Sequence, residues 1–292
     1  MRYSILSNLV TNGANLTVKE GTTALHVAAV CFPYAPVAEA HGAIKFRDDY
    51  FKRIVQLFVQ MGLDLNASNS EGITPLIYLC QKIKNFDFRS TIIEYMVDNG
   101  ADVHATDSNG RTALHHMVSY KYTEPAGAII KHGANVNVKE PTNGYTPLYV
   151  ALVSRATVGM IQLLLKSGAD VTMLSDDDKG CGAIYASIQK GGDTQNIRLL
   201  VDYGADINGS NLGSGWTALH LAASNNNYED FVYELLECGA DPTIQTSNGN
   251  ETALDIARRK KKKISYSTIS LLEECTPKIL LPKKTSKRRK LS

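Results

Sequence analysis

The sequence predicts an all-α repeat protein in which pairs of short helices alternate with tight turns. Two short motifs, each recurring seven times along the 292 residues, are the main basis for this prediction. A third observation is the spacing of apolar residues between the motifs. Leu164 and Leu165, for example, follow Ile161 by three and four residues, which places all three on one face of a helix. Self-similarity at a period of about 20–50 residues is the signature of a repeat architecture.

The first motif is a four-residue segment that begins with Thr in all but one of its occurrences. It starts at Thr23, Thr74, Thr112, Thr146, Gly182, Thr217 and Thr252. The successive spacings are 51, 38, 34, 36, 35 and 35 residues. A second motif, led by Gly and typified by "GADVH", keeps the same register. It starts at Gly13, Gly62, Gly100, Gly133, Gly168, Gly204 and Gly239. Two motifs in one register predict seven similar units.

Each unit is predicted to run as turn, helix, helix. Asn109-Gly110 indicates a β-turn or hairpin, because Gly adopts positive φ without steric cost. The Thr of the first motif, such as Thr112, can cap the first helix, and Pro75 and Pro147 occupy its first position. The second helix is predicted to stop at the Gly of the second motif, the usual left-handed residue after a helix.

This pattern resembles the ankyrin repeat over residues 13–257. The resemblance implies an ankyrin-repeat α-solenoid with β-turn or hairpin fingers on one side and a concave face that binds partners. It also implies that the Thr and His of the Thr-x-Leu-His stretch form hydrogen bonds that fix the first helix. The matching pairs are Thr23 and His26, Thr112 and His115, and Thr217 and His220. Repeat five has Gly182 and Tyr185 instead, so we expect packing to hold it.

The motifs also suggest boundaries for each unit. We expect a half-repeat cap at 1–19, repeats at 20–66, 67–104, 105–137, 138–172, 173–208 and 209–243, a capping repeat at 244–274, and a disordered basic tail at 275–292. The long first repeat contains an insertion between its helices at about 30–48. The half-repeat start is also compatible with a piece of a longer array. Arg258 stands where repeat six has Ala223, which predicts a polar terminal face.

The net charge of +2 conceals a strong asymmetry. Residues 258–292 contain 13 basic and 2 acidic residues, whereas the first 257 contain 18 basic and 27 acidic ones. Such asymmetry suggests that the tail has its own partner. Its stretch "PKKTSKRRK" is typical of nuclear import signals, which predicts an import receptor as partner and a location in nucleus and cytoplasm. The signal residues are Lys283, Lys284, Lys287, Arg288, Arg289 and Lys290.

Several function classes are disfavoured by what the sequence contains. The five cysteines form no C-x-x-C pair, which argues against a zinc site or disulfide framework. No apolar run approaches the ~20 residues of a membrane span, and the start lacks a secretory signal. The acidic body and the lack of interleaved aromatic residues disfavour nucleic acid as partner, although a role through the tail remains an alternative. We therefore expect a monomer without enzymatic activity, metal or cofactor.

The residue that precedes each first motif is predicted to lie toward the concave side. This series runs Ile73, Arg111, Tyr145, Cys181, Trp216 and Glu251. Because Trp, Tyr and Arg are enriched at binding hot spots, we expect Ile73, Arg111, Tyr145 and Trp216 to line a groove for another protein. The alternative is that Tyr145 and Trp216 only pack on neighbouring fingers.

Two further features complete the predicted binding and modification sites. The insertion of repeat one is rich in aromatic residues, which predicts either a lid on the core or a partner contact; they include Phe32, Tyr34, Phe46 and Tyr50. The resemblance also implies β-hydroxylation of the Asn in the Gly-led motif, at Asn66, Asn137 and Asn208. The function expected from all of this is a non-enzymatic protein-binding scaffold that acts in the nucleus as a regulator or cofactor. A substrate adaptor of a ubiquitin ligase is the alternative.

Overall fold

A computed structural model describes residues 23, 26, 52–60, 62–82, 90–173, 182–260 and 264–276 of the chain. Within these ranges the chain forms helices and turns and no strand. Isolated antiparallel bridges join Thr106 to Thr112 and Ser210 to Thr217, both at the bases of fingers. The predicted all-α class is thereby confirmed.

The helices are short and follow one another at regular intervals. In chain order they are α1 (52–60), α2 (Pro75–Lys82), α3 (Ser90–Asp98), α4 (Ala113–Ser119), α5 (Thr123–Lys131), α6 (Pro147–Val153), α7 (Val158–Lys166), α8 (Ala183–Gln189), α9 (Gln195–Asp202), α10 (Ala218–Ala223), α11 (Glu229–Glu237), α12 (Ala253–Arg259) and α13 (Tyr266–Cys275). A 3-10 turn at Asn226–Tyr228 leads into α11. From α2 onward the helices form pairs, one pair for each repeat from two to seven.

The pairs stack into two parallel rows. The first helices α2, α4, α6, α8, α10 and α12 each pack on the next first helix, and the second helices from α3 to α13 do the same. Within repeats three to seven, the two helices of a pair also pack on each other. Because the principal contacts of each repeat are with its neighbours, the structure is a solenoid, as predicted.

The second helices end where the Gly-led motif begins. The glycines at 62, 100, 133, 168, 204 and 239 all have φ between +75° and +99°. After α7, for example, the amide of Gly168 donates to the carbonyl of Leu165 at 3.0 Å, and that of Ala169 donates to Leu164 at 3.0 Å. These bonds satisfy carbonyls that the helix end would otherwise leave without a donor, and only glycine adopts this backbone readily.

The core lies between the two rows of helices. In α7, the apolar stripe predicted from the sequence is buried: Ile161 and Leu164 are fully inaccessible and Leu165 is 2% exposed. The first helices present small residues to their neighbours, such as Ala222 and Ala223 in α10. Small side chains allow close approach of helices, while burial of each large apolar side chain contributes roughly 1.5–3 kcal/mol.

The fingers that precede the first helices also stack on each other. The amide of Ser108 in finger three donates to the carbonyl of Glu71 in finger two at 2.8 Å. Between fingers three and four the contact is closer still, because a Cβ added at Gly110 would lie 2.1 Å from Cδ of Pro141. Equivalent positions on successive fingers therefore form a row along the solenoid.

The last repeat differs from the others on its outer side. Helix α13 packs on α11 and α12 and takes the place of a second helix. Arg258, which replaces a small residue of the preceding repeat, bonds to Glu273 of α13 at 2.6 Å, and both side chains are more than 40% exposed. A charged pair at this position is compatible with a solvent-facing end of the stack.

Candidate functional site

Three histidines tie the cap of a first helix to the following finger. In repeat three, Nδ1 of His115 lies 3.2 Å from the amide nitrogen of Thr112 and 2.9 Å from its hydroxyl. On the other side of the ring, Nε2 lies 3.1 Å from the carbonyl oxygen of Tyr145 in the next repeat. His26 bonds in the same way to Thr23 and to the carbonyl of Ile73, and His220 to Thr217 and the carbonyl of Glu251.

The hydrogen bonds define the tautomer of these histidines. Because a backbone amide can only donate, Nδ1 of His115 must accept, and the proton therefore resides on Nε2, which donates to the carbonyl. Burial lowers the pKa of His26, His115 and His220 below the ordinary value, although the bond to the next finger opposes the shift. The three rings are thus neutral structural groups, as predicted for the Thr-x-Leu-His slot.

These bonds hold the backbone of three residues in the series that precedes the first motifs, namely Ile73, Tyr145 and Glu251. We call the described members of this series, Ile73, Arg111, Tyr145, Trp216 and Glu251, the finger row. Ile73 is only 6% exposed, so its side chain belongs to the core rather than to an open surface. Arg111, Tyr145 and Trp216 are half-buried. Cys181, the remaining position of the series, lies outside the described residues.

At one end of the finger row, Glu251 is already engaged within the last repeat. Its carboxylate pairs with the guanidinium of Arg259, with Nε at 2.9 Å from Oε1 and Nη2 at 3.0 Å from Oε2. Both groups belong to the capping repeat. Since this pair satisfies the Glu251 carboxylate internally, the residues available for a partner are those of repeats three, four and six.

Arg111 is anchored by a carboxylate that sequence reasoning did not identify. Its Nε donates to Oε2 of Glu140 in finger four at 2.5 Å, and the side chain of Glu140 is 1% exposed. The other carboxylate oxygen accepts from Nδ2 of Asn143 at 3.2 Å. The ion pair spans two fingers and raises the pKa of Arg111. Arg111 is therefore held in one orientation at the surface of the finger stack.

A second carboxylate organises finger three itself. Oδ1 of Asp107 accepts from the amides of Asn109 at 2.9 Å and Arg111 at 3.0 Å, which closes the turn. Oδ2 accepts from Nε2 of His116 at 2.9 Å. Burial lowers the pKa of His116, while Asp107 opposes that shift. The signal for this role was present in the sequence, since Asp followed by Asn-Gly is a typical turn pattern.

The aromatic members of the finger row have aromatic neighbours in their own repeats. The ring centroids of Tyr145 and Tyr149 lie 4.5 Å apart at an interplanar angle of 33°. Those of Trp216 and His220 lie 6.4 Å apart at 36°. These separations fall within the range of favourable aromatic pairs. The contacts fix the rings of Tyr145 and Trp216 while leaving these two side chains partly accessible.

The three asparagines expected to be hydroxylated connect successive repeats. Nδ2 of Asn66 donates to the carbonyl of Gly100 at 2.9 Å, and its Oδ1 accepts from the amide of Asp102 at 2.8 Å. Asn137 makes the same two bonds, both at 2.9 Å, to Gly168 and Asp170. Oδ1 of Asn208 accepts from the amide of Asp241 at 2.8 Å. Each amide group therefore stabilises the junction between two repeats.

Two groups of expected site residues lie outside the described residues. They are the aromatic residues of the insertion in repeat one, Phe32, Tyr34, Phe46 and Tyr50, and the basic residues of the tail, Lys283, Lys284, Lys287, Arg288, Arg289 and Lys290. Among the residues that the structure does describe, no group of three or more His, Cys, Asp or Glu side chains could hold a metal ion. In the same part of the chain, no helix is both long and apolar enough for a membrane span.

Comparison with known families identifies the repeat. A family model described as ankyrin repeats (three copies) matches four overlapping stretches, at residues 40–140, 83–175, 156–246 and 183–272. Together these stretches reach from residue 40 to residue 272, which is well over half of the chain.

Individual relatives match over shorter stretches. The protein named ankyrin repeat and SOCS box protein 6 from Homo sapiens is 30% identical over 142 residues, which cover 47% of this chain and 33% of that protein. The nuclear factor NF-kappa-B p105 subunit from Gallus gallus is 33% identical over 147 residues, which cover 50% of this chain and 14% of that protein. The chain thus spans a third or less of the length of these relatives.

Among solved structures, the ankyrin repeat domain of Bcl-3, described as a member of the IkappaB protein family, is similar over most of its extent. The TM-score is 0.67 and the sequences are 24% identical. The match covers 87% of this chain and all of that chain. At this level of identity, the likeness shows a shared fold.

Proposed function

The chain belongs to the ankyrin repeat family, and from this premise we propose that it is a non-enzymatic scaffold that binds another protein along its finger row. Ankyrin repeats are protein-interaction modules. The proposal adds the place of binding and the residues that form it, namely Arg111, Tyr145 and Trp216. It also holds that the scaffold acts as a monomer and as a regulator or cofactor rather than as a catalyst.

The main support for this proposal is the combination of a fixed backbone with accessible side chains in the finger row. The carbonyl of Tyr145 accepts from His115, and Arg111 is fixed by Glu140. Groups that are ordered before binding lose less conformational entropy when a partner docks. Aromatic and Arg side chains of this kind are also those that dominate interface energies.

The test is a paired set of substitutions followed by affinity purification from cells. Tyr145→Ala with Trp216→Ala removes both rings of the finger row. Tyr203→Ala with Tyr233→Ala is the matched control, because these tyrosines are 41% and 52% exposed and belong to the second-helix row. We expect one co-purified protein to be lost with the first pair and kept with the control. Equal recovery with both pairs, at unchanged circular dichroism, contradicts the proposal.

We further propose that the basic tail directs the protein into the nucleus. The support is the charge pattern of residues 275–292, in which two basic clusters follow a proline. Green fluorescent protein fused to these residues should accumulate in the nucleus. Fluorescence distributed as for the unfused protein contradicts the proposal. If the tail instead bound nucleic acid, the full chain would show salt-sensitive binding to random DNA, and a variant without residues 275–292 would lose that binding.

A role as substrate adaptor of a ubiquitin ligase is the second candidate function. The observation in its favour is the similarity to a protein whose name includes a SOCS box. The same affinity purification distinguishes the two functions, because an adaptor should recover ubiquitin ligase subunits together with the partner. Recovery of the partner without any ligase subunit supports the simple scaffold.

Hydroxylation of Asn66, Asn137 and Asn208 is proposed as a modification of the scaffold. The support is their shared position in the repeat and their partial accessibility. Because each side chain bridges two repeats, access by an enzyme requires the junction to open locally. Mass spectrometry of the protein from cells should show peptides heavier by one oxygen atom at these positions. Unmodified peptides at all three positions contradict the proposal.

A further inference from the structure

The chemistry of the expected partner can be inferred from Arg111 and the groups around it. We propose that repeats three and four bind a carboxylate-bearing segment of the partner protein, and that Arg111 holds one of its carboxylates. This inference rests on the proposed function, because it concerns part of the same finger row.

The two side chains of the Arg111–Glu140 pair differ in their exposure to solvent. The Glu140 side chain is 1% exposed, whereas that of Arg111 is 39% exposed, so the carboxylate lies inside the finger stack and the guanidinium at its surface. The bond from Nε to Glu140 fixes the plane of the guanidinium. Arg111 therefore presents a planar donor group whose orientation is set before any partner arrives.

The Nη groups of Arg111 remain available as donors. A guanidinium has five N–H groups, and the Nε–H is the one that bonds to Glu140. Within the part of the chain that the structure describes, neither Nη1 nor Nη2 donates to a protein acceptor. The two Nη atoms form a fork that matches the two oxygens of a carboxylate. A carboxylate from another protein can accept from both Nη atoms at once.

The carboxylates next to Arg111 already accept hydrogen bonds within the protein. Asp107 accepts three hydrogen bonds, from the amides of Asn109 and Arg111 and from the ring of His116, and its side chain is 5% exposed. Glu140 accepts bonds on both oxygens. Because these two acids are buried and fully engaged, they do not offer an exposed site for a cationic partner. The accessible charge at this position is that of Arg111.

A second cation, Arg155, lies at the far end of the first helices. Arg155 directly follows the C-cap of α6 and is exposed, and its side chain makes no hydrogen bond to a described residue. A Cβ built on Gly191 would lie 3.7 Å from Nη2 of Arg155, which places the guanidinium along the turns of repeats four and five. A first helix of seven residues is about 10 Å long. Arg111 and Arg155 therefore lie at opposite ends of these first helices.

Lys121 occupies the same position in repeat three, but Glu124 follows it within one turn and is also exposed. Arg155 has no acidic residue equally close in sequence, and it is therefore the cation used in the test. Repeat four also offers a matched control, because Lys166 is exposed in the last turn of α7, on the second-helix row. Arg155→Gln and Lys166→Gln change the net charge equally, one beside the first helices and the other on the second-helix row.

A protein segment fits these groups better than a nucleic acid does. A duplex presents about one phosphate charge per 1.7 Å of its axis, and binding needs many cations in register. The first 257 residues instead contain 27 acidic and 18 basic side chains. Two separated guanidinium groups and the half-buried ring of Tyr145 are compatible with an extended peptide that carries a few acidic residues among apolar ones.

The experiment starts with a random peptide phage library selected against the full chain. We expect the enriched peptides to contain an excess of Asp and Glu. One enriched peptide is then labelled with fluorescein, and its affinity is measured by fluorescence anisotropy. A matched peptide in which Asn and Gln replace Asp and Glu should bind at least about tenfold more weakly, because each charge-assisted bond is lost.

The protein variants localise the effect. Arg111→Lys keeps a cation beside Glu140 but removes the fork, and should weaken binding of the acidic peptide about tenfold. Arg155→Gln should weaken it about threefold and Lys166→Gln should leave it unchanged, since exposed charges contribute little unless they contact the ligand. If Arg111→Lys failed to fold, as seen by circular dichroism, the comparison of Arg155→Gln with Lys166→Gln would still decide.

The outcomes separate this inference from the proposed function. In one outcome, selected peptides bind equally well after Asn and Gln replace their Asp and Glu residues, and still require Tyr145 and Trp216 of the protein. That result contradicts the carboxylate inference and leaves the scaffold proposal standing. Equal effects of Arg155→Gln and Lys166→Gln also contradict the inference. Failure to enrich any peptide that depends on the finger row contradicts both proposals. Tighter binding of a random 20-base-pair duplex than of any selected peptide overturns the choice of a protein segment.

Discussion

Repeats three and five show that one fold can be built with and without the histidine link. In repeat three, His115 joins the cap at Thr112 to the carbonyl of Tyr145. In repeat five, Gly182 is the N-cap and offers no side-chain acceptor, yet α8 forms over Ala183–Gln189 and buries Ile184 and Ile188 as the other first helices do. Packing therefore determines the helix pair, while the histidine adds a specific connection to the next finger.

The largest expected effect is loss of the link where it exists. His115→Ala removes a ring that is 1% exposed together with its bonds to Thr112 and Tyr145. Since buried polar partners are left unsatisfied, we expect a loss of about 3 kcal/mol in the free energy of unfolding. Tyr185→Ala, at the equivalent half-buried position of repeat five, should cost about 1 kcal/mol. Urea unfolding of both variants measures the difference, and equal losses would show that the link contributes nothing.

The pH dependence of stability provides a second test of the link. The folded protein lowers the pKa of His26, His115 and His220 below the ordinary value of 6.5. The unfolded chain therefore binds protons more readily as pH falls below about 6.5, and stability present at neutral pH is lost below that value. The pKa of His116 is lowered as well, whereas the half-buried His132, which bonds to the carbonyl of Ala128 and to Asp98, has a raised pKa.

We expect both the urea midpoint and the free energy of unfolding to fall between pH 7.5 and pH 5.5, because protonation of the linked histidines favours the unfolded chain. The His115→Ala variant should show a shallower fall than the wild-type chain. His132→Gln is the control, because its ring makes none of the bonds between a helix cap and the following finger. A wild-type midpoint that does not change over this range contradicts the assigned neutral state of the linked histidines.

A smaller effect is expected from building the link into repeat five. Gly182→Thr with Tyr185→His gives repeat five the capping Thr and the first-helix His of repeat three, and the carbonyl of Trp216 would be the acceptor for the new ring. A new N-cap and one buried hydrogen bond should together stabilise the fold by about 1 kcal/mol. Gly182→Thr alone is the control for the cap. A double variant no more stable than this single one indicates that repeat five cannot accommodate the histidine.

The smallest expected effect compares repeats four and five at the turn between their helices. Arg155 has φ of +55°, whereas Gly191 occupies the corresponding turn with φ of +67°. Because a left-handed backbone is unfavourable for residues with a Cβ, Arg155→Gly should stabilise the protein by up to about 1 kcal/mol, and Gly191→Ala should destabilise it by a similar amount. Thermal unfolding of both variants tests this, and shifts of the same sign would contradict it.

The sequence predicted most of the fold but only part of the candidate site. Helix starts at the motif Thr and helix stops at Gly168, Gly204 and Gly239 depend on local backbone preferences, so they can be read from single positions. The finger row was also predicted from position, and its members Arg111, Tyr145 and Trp216 are half-buried. Burial of Ile73 was not anticipated, because it depends on what packs around the second finger.

The role of Glu140 is a clear example of information that the sequence does not contain. An acidic residue in a polar turn is usually solvated, and nothing near Glu140 in sequence distinguishes it. Its burial arises because finger four lies against finger three, so that Arg111, 29 residues earlier, lies directly at its carboxylate. Such a contact is set by the stacking of repeats, and no local preference records it.

By itself, the sequence determined the number and register of the repeat motifs, the helix pairs and the histidine positions, because each depends on residues close together in the chain. Only the tertiary structure decided which carboxylates are buried and which side chains of the finger row remain open. Those outcomes depend on contacts between repeats some 30 residues apart, where the packing of one finger on the next decides which groups keep access to water.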